Sequence, residues 1–183
     1  MTSWTAKDLP DLIGRTVVIT GAGRGLGLIA ARELARAGAR VVLGVRDTGK
    51  ARRAVAGLPG DFDVRPLDVA DLTSVRAFVG AWSGGLRSVL ASPRIARTAL
   101  AAHFRSNVVN RFTFLTNDPE RGALSLLYAA TQDVPGNSYV GPDGLGGLRG
   151  HPAVRRQGKA GLDEVMAGRL WDATADLVGA VTR

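Results

Sequence analysis

Four glycines, Gly21, Gly23, Gly25 and Gly27, punctuate the stretch Thr20 to Gly27. An apolar run, Thr16-Val17-Val18-Ile19, precedes it, and Leu26, Ile29, Ala30, Leu34 and Ala37 then recur at helical spacing. A chain needs glycine where it leaves a strand at positive φ, and where a side chain would keep backbone N–H groups away from a bound anion. The helix that follows turns its unpaired N–H groups and the positive end of its dipole toward the same place. Strand, glycine turn and helix together are chemistry for holding a diphosphate, such as the pyrophosphate of a dinucleotide. The spacing Gly21-x-x-x-Gly25-x-Gly27 departs from the more familiar G-x-G-x-x-G pattern, so the flanking elements carry the reading as much as the glycines do.

The elements that must position this turn are legible downstream. Arg40 to Val45 reads as a second strand, and Thr48 to Ala56 as a helix stopped by Gly57 and Pro59. Phe62 to Leu67 reads as a third strand. Asp71 is placed to cap a helix whose Leu72, Val75, Phe78, Val79 and Trp82 share a face until Ser83-Gly84-Gly85. Aliphatic strands alternating with helices imply an α/β fold with a parallel sheet, right-handed crossovers and cover on both faces. This is one half of a Rossmann domain, with strands in the order 3-2-1.

After Gly85 the alternation stops. Leu86 to Asn110 reads as a helix interrupted by Pro93, with Arg87, Arg94, Arg97, Arg105 and Arg111 nearby and no acid before Asp118. Asp118-Pro119 starts a helix running to about Gln132, Ser138 to Val140 reads as a short strand, and Gly141 to Gly150 as a loop. Leu162, Val165, Met166, Leu170, Ala173 and Leu177 mark a last amphipathic helix. The expectation is a single domain over 1–183, with a dinucleotide-binding half at 1–83 and a mainly helical part at 86–183 that carries one strand near 138–140. A free second edge on the first strand is a liability. The expectation is therefore that the strand near Tyr139 or a second copy of the chain pairs with Val17 to Ile19, or that the protein is prone to aggregate.

With 183 residues, 45% hydrophobic and 22% charged, the chain falls in the globular range. Its net charge of +8 comes with only three lysines, Lys7, Lys50 and Lys159, among 24 basic residues, and no polybasic block stands out. Cysteine is absent, which excludes disulfides and thiolate metal sites, and His103 and His151 have no partner at metal-ligand spacing. The first fifteen residues lack an apolar signal-peptide core, and a cytoplasmic location is expected.

Thr20 to Gly27, Val45-Arg46-Asp47, Leu67-Asp68-Val69 and Asp71-Leu72-Thr73-Ser74-Val75 together resemble the short-chain dehydrogenase/reductase family in order and spacing. The tail segments Gly122 to Ala130 and Gly136 to Pro142 are similar to the C-terminus of its retinol-dehydrogenase-like members. The resemblance implies a nicotinamide dinucleotide held by Gly21, Gly23, Arg24, Gly25, Leu26 and Gly27. It implies that Asp68 accepts a hydrogen bond from the adenine amino group and that the Val69 amide meets the adenine ring. Arg46 stands where NAD-preferring members carry an acid for the ribose 2′-hydroxyl, and Arg24 adds positive charge, so NADP(H) is expected ahead of NAD(H).

The resemblance also shows what is missing. Family enzymes transfer hydride with a tyrosine whose pKa a nearby lysine lowers from about 10. Here Tyr128 and Tyr139 are followed four residues later by Gln132 and Asp143, and neither a Tyr-x-x-x-Lys pair nor an Asn-Asn-Ala-Gly turn occurs. Tyr128 reads as a core or helix-face aromatic and Tyr139 as a strand residue. No catalytic and no metal-binding residue is assigned, and the expected function is that of an oxidoreductase relative without turnover of its own. The alternative is an interaction module whose basic segment 86–110 meets an acidic partner, a membrane surface or nucleic acid.

Overall fold

The computed structural model describes residues 3–83, 90–91, 117–135, 138–144, 147–155 and 163–178. Three parallel strands form the first sheet, in the order β1 (Thr16–Thr20), β2 (Arg40–Val45), β3 (Asp61–Pro66). Thr20 stands opposite Gly44, and Val45 opposite Pro66, so the carboxyl ends of all three strands reach one edge. The helices α1 (Gly25–Arg36), α2 (Thr48–Val55) and α3 (Leu72–Gly80) follow the strands in turn. The expected half of a Rossmann domain is present.

Alternation decides which face is the core. Val17, Ile19, Val41, Leu43, Val45, Phe62 and Val64 point to one side, where they pack with Ala30, Ala31 and Leu34 of α1 and with Ala51 and Val55 of α2. The other side carries Thr16, Arg40, Asp61, Asp63 and Arg65, and α3 buries no residue fully. On this second face cover is complete at Val42 of β2, which is 1% exposed, and thinner toward β1 and β3. Only β2 is buried nearly throughout, whereas β1 and β3 are half-exposed edges.

Ion pairs add to this face, on which Val42 is buried. Asp63 Oδ2 accepts from Arg65 Nη2 at 2.8 Å and from Arg40 Nη2 at 3.1 Å. The Arg65 hydrogen bond holds the Asp63 carboxyl below its ordinary range against the opposing effect of burial, with Arg40 adding a lesser contribution. On α1, burial pushes Glu33 upward, but hydrogen bonds from Arg36 and Arg32 outweigh it and leave the carboxyl lowered. Both folded-state values lie below the unfolded ones, so this stabilisation is complete above the unfolded carboxylate pKa of about 4 and is lost as pH falls through the folded values. Melting temperature should therefore drop in acid below about pH 4, and Asp63→Asn should flatten that dependence. An unchanged acid profile in the variant would show that the Asp63 cluster contributes nothing.

Beyond the first sheet, α4 (Pro119–Thr131) packs along α1. Asp118 caps it, accepting from the Arg121 amide at 2.8 Å, and Pro119 occupies its first turn as expected. The N-terminal segment closes over the same region. Trp4 meets Tyr128 edge-on at 5.3 Å, and the Leu12 amide donates to the Ala37 carbonyl.

The C-terminal part differs from its expected outline. A second three-stranded sheet joins β4 (Leu90–Ala91), β5 (Tyr139–Pro142) and β6 (Pro152–Arg155), with β4 parallel and β6 antiparallel to β5. Leu90 and Ala91 are thus strand rather than helix, and the rest of the expected helix 86–110 lies outside the described residues. Nor does the strand at Tyr139 pair with β1. It pairs with its hairpin neighbour β6, which a short connection brings back at low loop-closure cost. Inside that connection the Asp143 amide donates to the His151 carbonyl at 2.8 Å and Asp143 Oδ1 accepts from the His151 amide at 2.8 Å. The buried Asn117 ties the start of α4 to the hairpin, its Oδ1 accepting from the Gly150 amide. Last comes α5 (Glu164–Val178), whose Val165, Met166, Leu170 and Trp171 are exposed. Among the described residues no helix is long and apolar enough to cross a membrane.

Candidate functional site

The glycine turn lies where β1 passes into α1. Gly21 has φ +68° and Gly25 φ +59°, the left-handed region that other residues enter only at a cost of roughly 1–2 kcal/mol. The Gly21 amide donates to the Gly44 carbonyl at 2.9 Å, which pins the turn to β2. Gly27 serves a different need. A Cβ there would stand 3.0 Å from Ala22 Cα and 3.1 Å from the Gly21 carbonyl oxygen, so any larger residue would have to push the loop backbone away from the first turn of α1. Gly23 is less constrained, with Ala51 Cβ and Val45 Cγ1 at 3.8 Å from the position of an added Cβ.

Arg24 is the N-cap residue of α1 and provides no side-chain cap, and the first turn carries no acid. The earliest backbone bond into the helix runs from the Leu28 amide to the Arg24 carbonyl. Among the described residues, the N–H groups of Gly25, Leu26 and Gly27 therefore meet no backbone acceptor. Uncapped amides, a dipole end and a nearby arginine make this point of the molecule suited to an anion.

The other expected residues stand at the same strand edge. Arg46 directly follows β2 and is exposed, while Asp47 beside it caps α2 by accepting from the Lys50 amide at 2.8 Å. Asp68 follows β3 and is half-buried. Its Oδ1 accepts from the Ala70 amide at 3.0 Å, and its own amide donates to Ser74 Oγ at 2.9 Å. The carboxylate thus shapes a turn and keeps its second oxygen available. Val69 is 67% exposed, so its amide is at the surface. Tyr128 and Tyr139 lie on α4 and β5, the first against Trp4 as a packing aromatic. The described residues hold no group of three His, Asp or Glu side chains able to bind a metal ion.

Two supporting residues escaped the sequence reading as site components. Gly44 lies inside β2, and an added Cβ would meet Leu67 Cδ2 at 2.6 Å, so the glycine lets the Asp68 turn fold down on the sheet. A glycine within a strand is the signal for such an approach. Ser74 fixes the same turn, and only its hydrogen bond reveals that role. Two concavities lie away from the turn, about 600 Å³ between the N-terminal segment, α1 and α4, and about 320 Å³ beside Arg40, Arg65 and Trp82.

An open parallel sheet with a glycine turn, a helix start and an acid at the carboxyl ends of its strands is an arrangement on which α/β proteins hold nucleotides. The model of the short chain dehydrogenase family matches residues 15–90, so this segment is similar to short-chain dehydrogenases. A short-chain dehydrogenase/reductase of Armillaria gallica is 43% identical over 77 residues, which cover 40% of this chain and 25% of that protein. Retinol dehydrogenase 12 of Bos taurus is 47% identical over 73 residues, covering 37% of this chain and 23% of the relative. The matches thus span about a quarter of these relatives. A solved structure of an uncharacterized protein from Mycobacterium Paratuberculosis is similar, with 29% identity, a TM-score of 0.73, and coverage of 96% of this chain and 97% of that one.

Proposed function

We propose that the chain binds a nicotinamide dinucleotide at the carboxyl edge of β1, β2 and β3, prefers NADP(H) to NAD(H), and does not turn over a substrate alone. The observation that carries this reading is the glycine turn, with Gly21 and Gly25 in the left-handed region and a Cβ at Gly27 crowded by the loop backbone, set against an uncapped helix start. In it, the amides of Gly25, Leu26 and Gly27 hold the pyrophosphate, Gly23 leaves room beside Val45, Arg24 and Arg46 face the 2′-phosphate, and Asp68 with the Val69 amide takes the adenine. When bound, the cofactor supplies a hydride donor or acceptor. The proton partner such chemistry needs is the tyrosine that a lysine activates, and the sequence has no such pair. A homo-oligomer through the edge of β1 that pairs with no strand among the described residues is compatible with this reading.

Fluorescence titration tests it. NADPH should bind saturably and more tightly than NADH, and no carbonyl substrate should accelerate its oxidation. Arg46→Glu should weaken NADPH at least about tenfold, as expected for losing a charge-assisted contact to phosphate, and leave NADH nearly unchanged. Equal losses for both nucleotides would remove Arg46 from the 2′-phosphate. Absence of binding by either at millimolar concentration would reduce the family kinship to descent.

A further inference from the structure

We propose that the cleft of about 600 Å³ between the N-terminal segment, α1 and α4 is a second binding site, separate from the glycine turn, for a small amphipathic carboxylate. A volume of this size, with a few polar groups converging on an apolar floor, is typical of small-molecule sites. Ile29, Leu124 and Leu127 form the floor. Lys7, Arg121 and His151 lie at the rim.

Charge selects the ligand. Both carboxylates of the cleft are already matched: Glu33 is bonded by Arg32 and Arg36 at 2.9 Å each, and Glu120 by Arg32 at 2.8 Å. The cations at the rim are not. Lys7 makes no ion pair among the described residues, and Arg121 reaches Asp118 only through Nε at 3.8 Å, leaving its terminal nitrogens free. His151 Nδ1 lies 3.0 Å from the Trp4 carbonyl, an acceptor only, so that nitrogen donates and Nε2 is the acceptor of the neutral ring. Two unspent cations, Lys7 and Arg121, above a hydrocarbon floor suit an anionic head on a short apolar body. None of the residues lining the cleft belongs to the glycine turn, although along α1 Ile29 and Glu33 lie about 3 and 9 Å beyond Gly27 at 1.5 Å rise per residue.

Calorimetric titration with octanoate, octanol and octylamine tests the assignment. Octanoate should bind saturably at one equivalent, with the alcohol and the amine at least about tenfold weaker. Lys7→Gln combined with Arg121→Gln, both exposed and outside the core, should weaken octanoate at least about tenfold with an unchanged melting temperature. Ala6→Trp should exclude all three probes by filling the cleft. Saturating NADPH should leave octanoate affinity unchanged. Equal binding of the three probes, no saturable octanoate binding, full retention in the double variant, or competition with NADPH would each overturn the proposal.

Discussion

Gly27→Ala should abolish dinucleotide binding over the range in which the unsubstituted chain saturates, and should lower stability by about 1–3 kcal/mol. The added methyl arrives 3.0–3.3 Å from three backbone atoms of Gly21 and Ala22. Backbone has no rotamer to escape into. Ala22 is fully buried and the Gly21 amide is tied to Gly44, so the relief open to the molecule is to lift α1 off the turn. That motion carries away the amides of Gly25, Leu26 and Gly27 together. Isothermal titration and chemical denaturation read the two effects separately. Wild-type affinity in a folded Gly27→Ala protein would mean that the nucleotide does not sit on this helix start. Gly23→Ala offers the contrast, because an added Cβ there meets ordinary van der Waals distances, and it should cost much less.

Gly44→Val should destabilise the protein by about 1–3 kcal/mol and weaken nucleotide binding at the same time. Its Cβ would crowd Leu67 Cδ2 at 2.6 Å and Leu67 Cβ at 3.3 Å, in a place where Leu67 is 6% exposed. The Leu67 amide donates to the Val45 carbonyl at 2.9 Å, so moving Leu67 strains the register by which Asp68 reaches the edge. Leu67→Ala in the Gly44→Val background should restore part of both losses, because the pair shares one volume. A double variant no better than the single one would mean that the strain lies in the strand and not in this contact.

These two glycines show how unevenly the site could be read from the chain. Gly27 belongs to a local pattern of strand, turn and helix, and the same locality made β1 to α3 readable to within a residue or so: Arg40 to Val45 and the capping aspartates Asp71 and Asp118 stand as expected. Gly44 acts across strands, against a residue 23 positions later, and no periodicity reports that. The second sheet was hidden for the same reason. Leu90–Ala91 is two residues long within an amphipathic stretch, and Pro152 opens β6, a place proline tolerates in a strand but one that sequence reading treats as a break. Pairing of β5 with these neighbours rather than with β1 is a choice among non-local partners. Hydrophobic patterning sets which faces are buried and does not name the partner.

The carboxylate of Asp68 illustrates a further limit. Sequence can place it at the end of a strand, but whether it serves a turn or a ligand depends on hydrogen bonds, and here one oxygen serves the Ala70 amide while the other stays available. Both roles fit one side chain. Arg46 carries the opposite ambiguity, since nothing among the described residues engages it and its use rests wholly on a ligand.

The most direct measurement is amide-resolved NMR of the ¹⁵N-labelled chain titrated with NADPH. The largest shift changes should fall on the amides of Gly25, Leu26 and Gly27, with smaller ones at Arg46 and Val69 and none at α5. Saturating NADPH that leaves those three amides unmoved, or moves only residues away from the carboxyl edge of β1 to β3, would contradict the claim that this helix start holds the diphosphate.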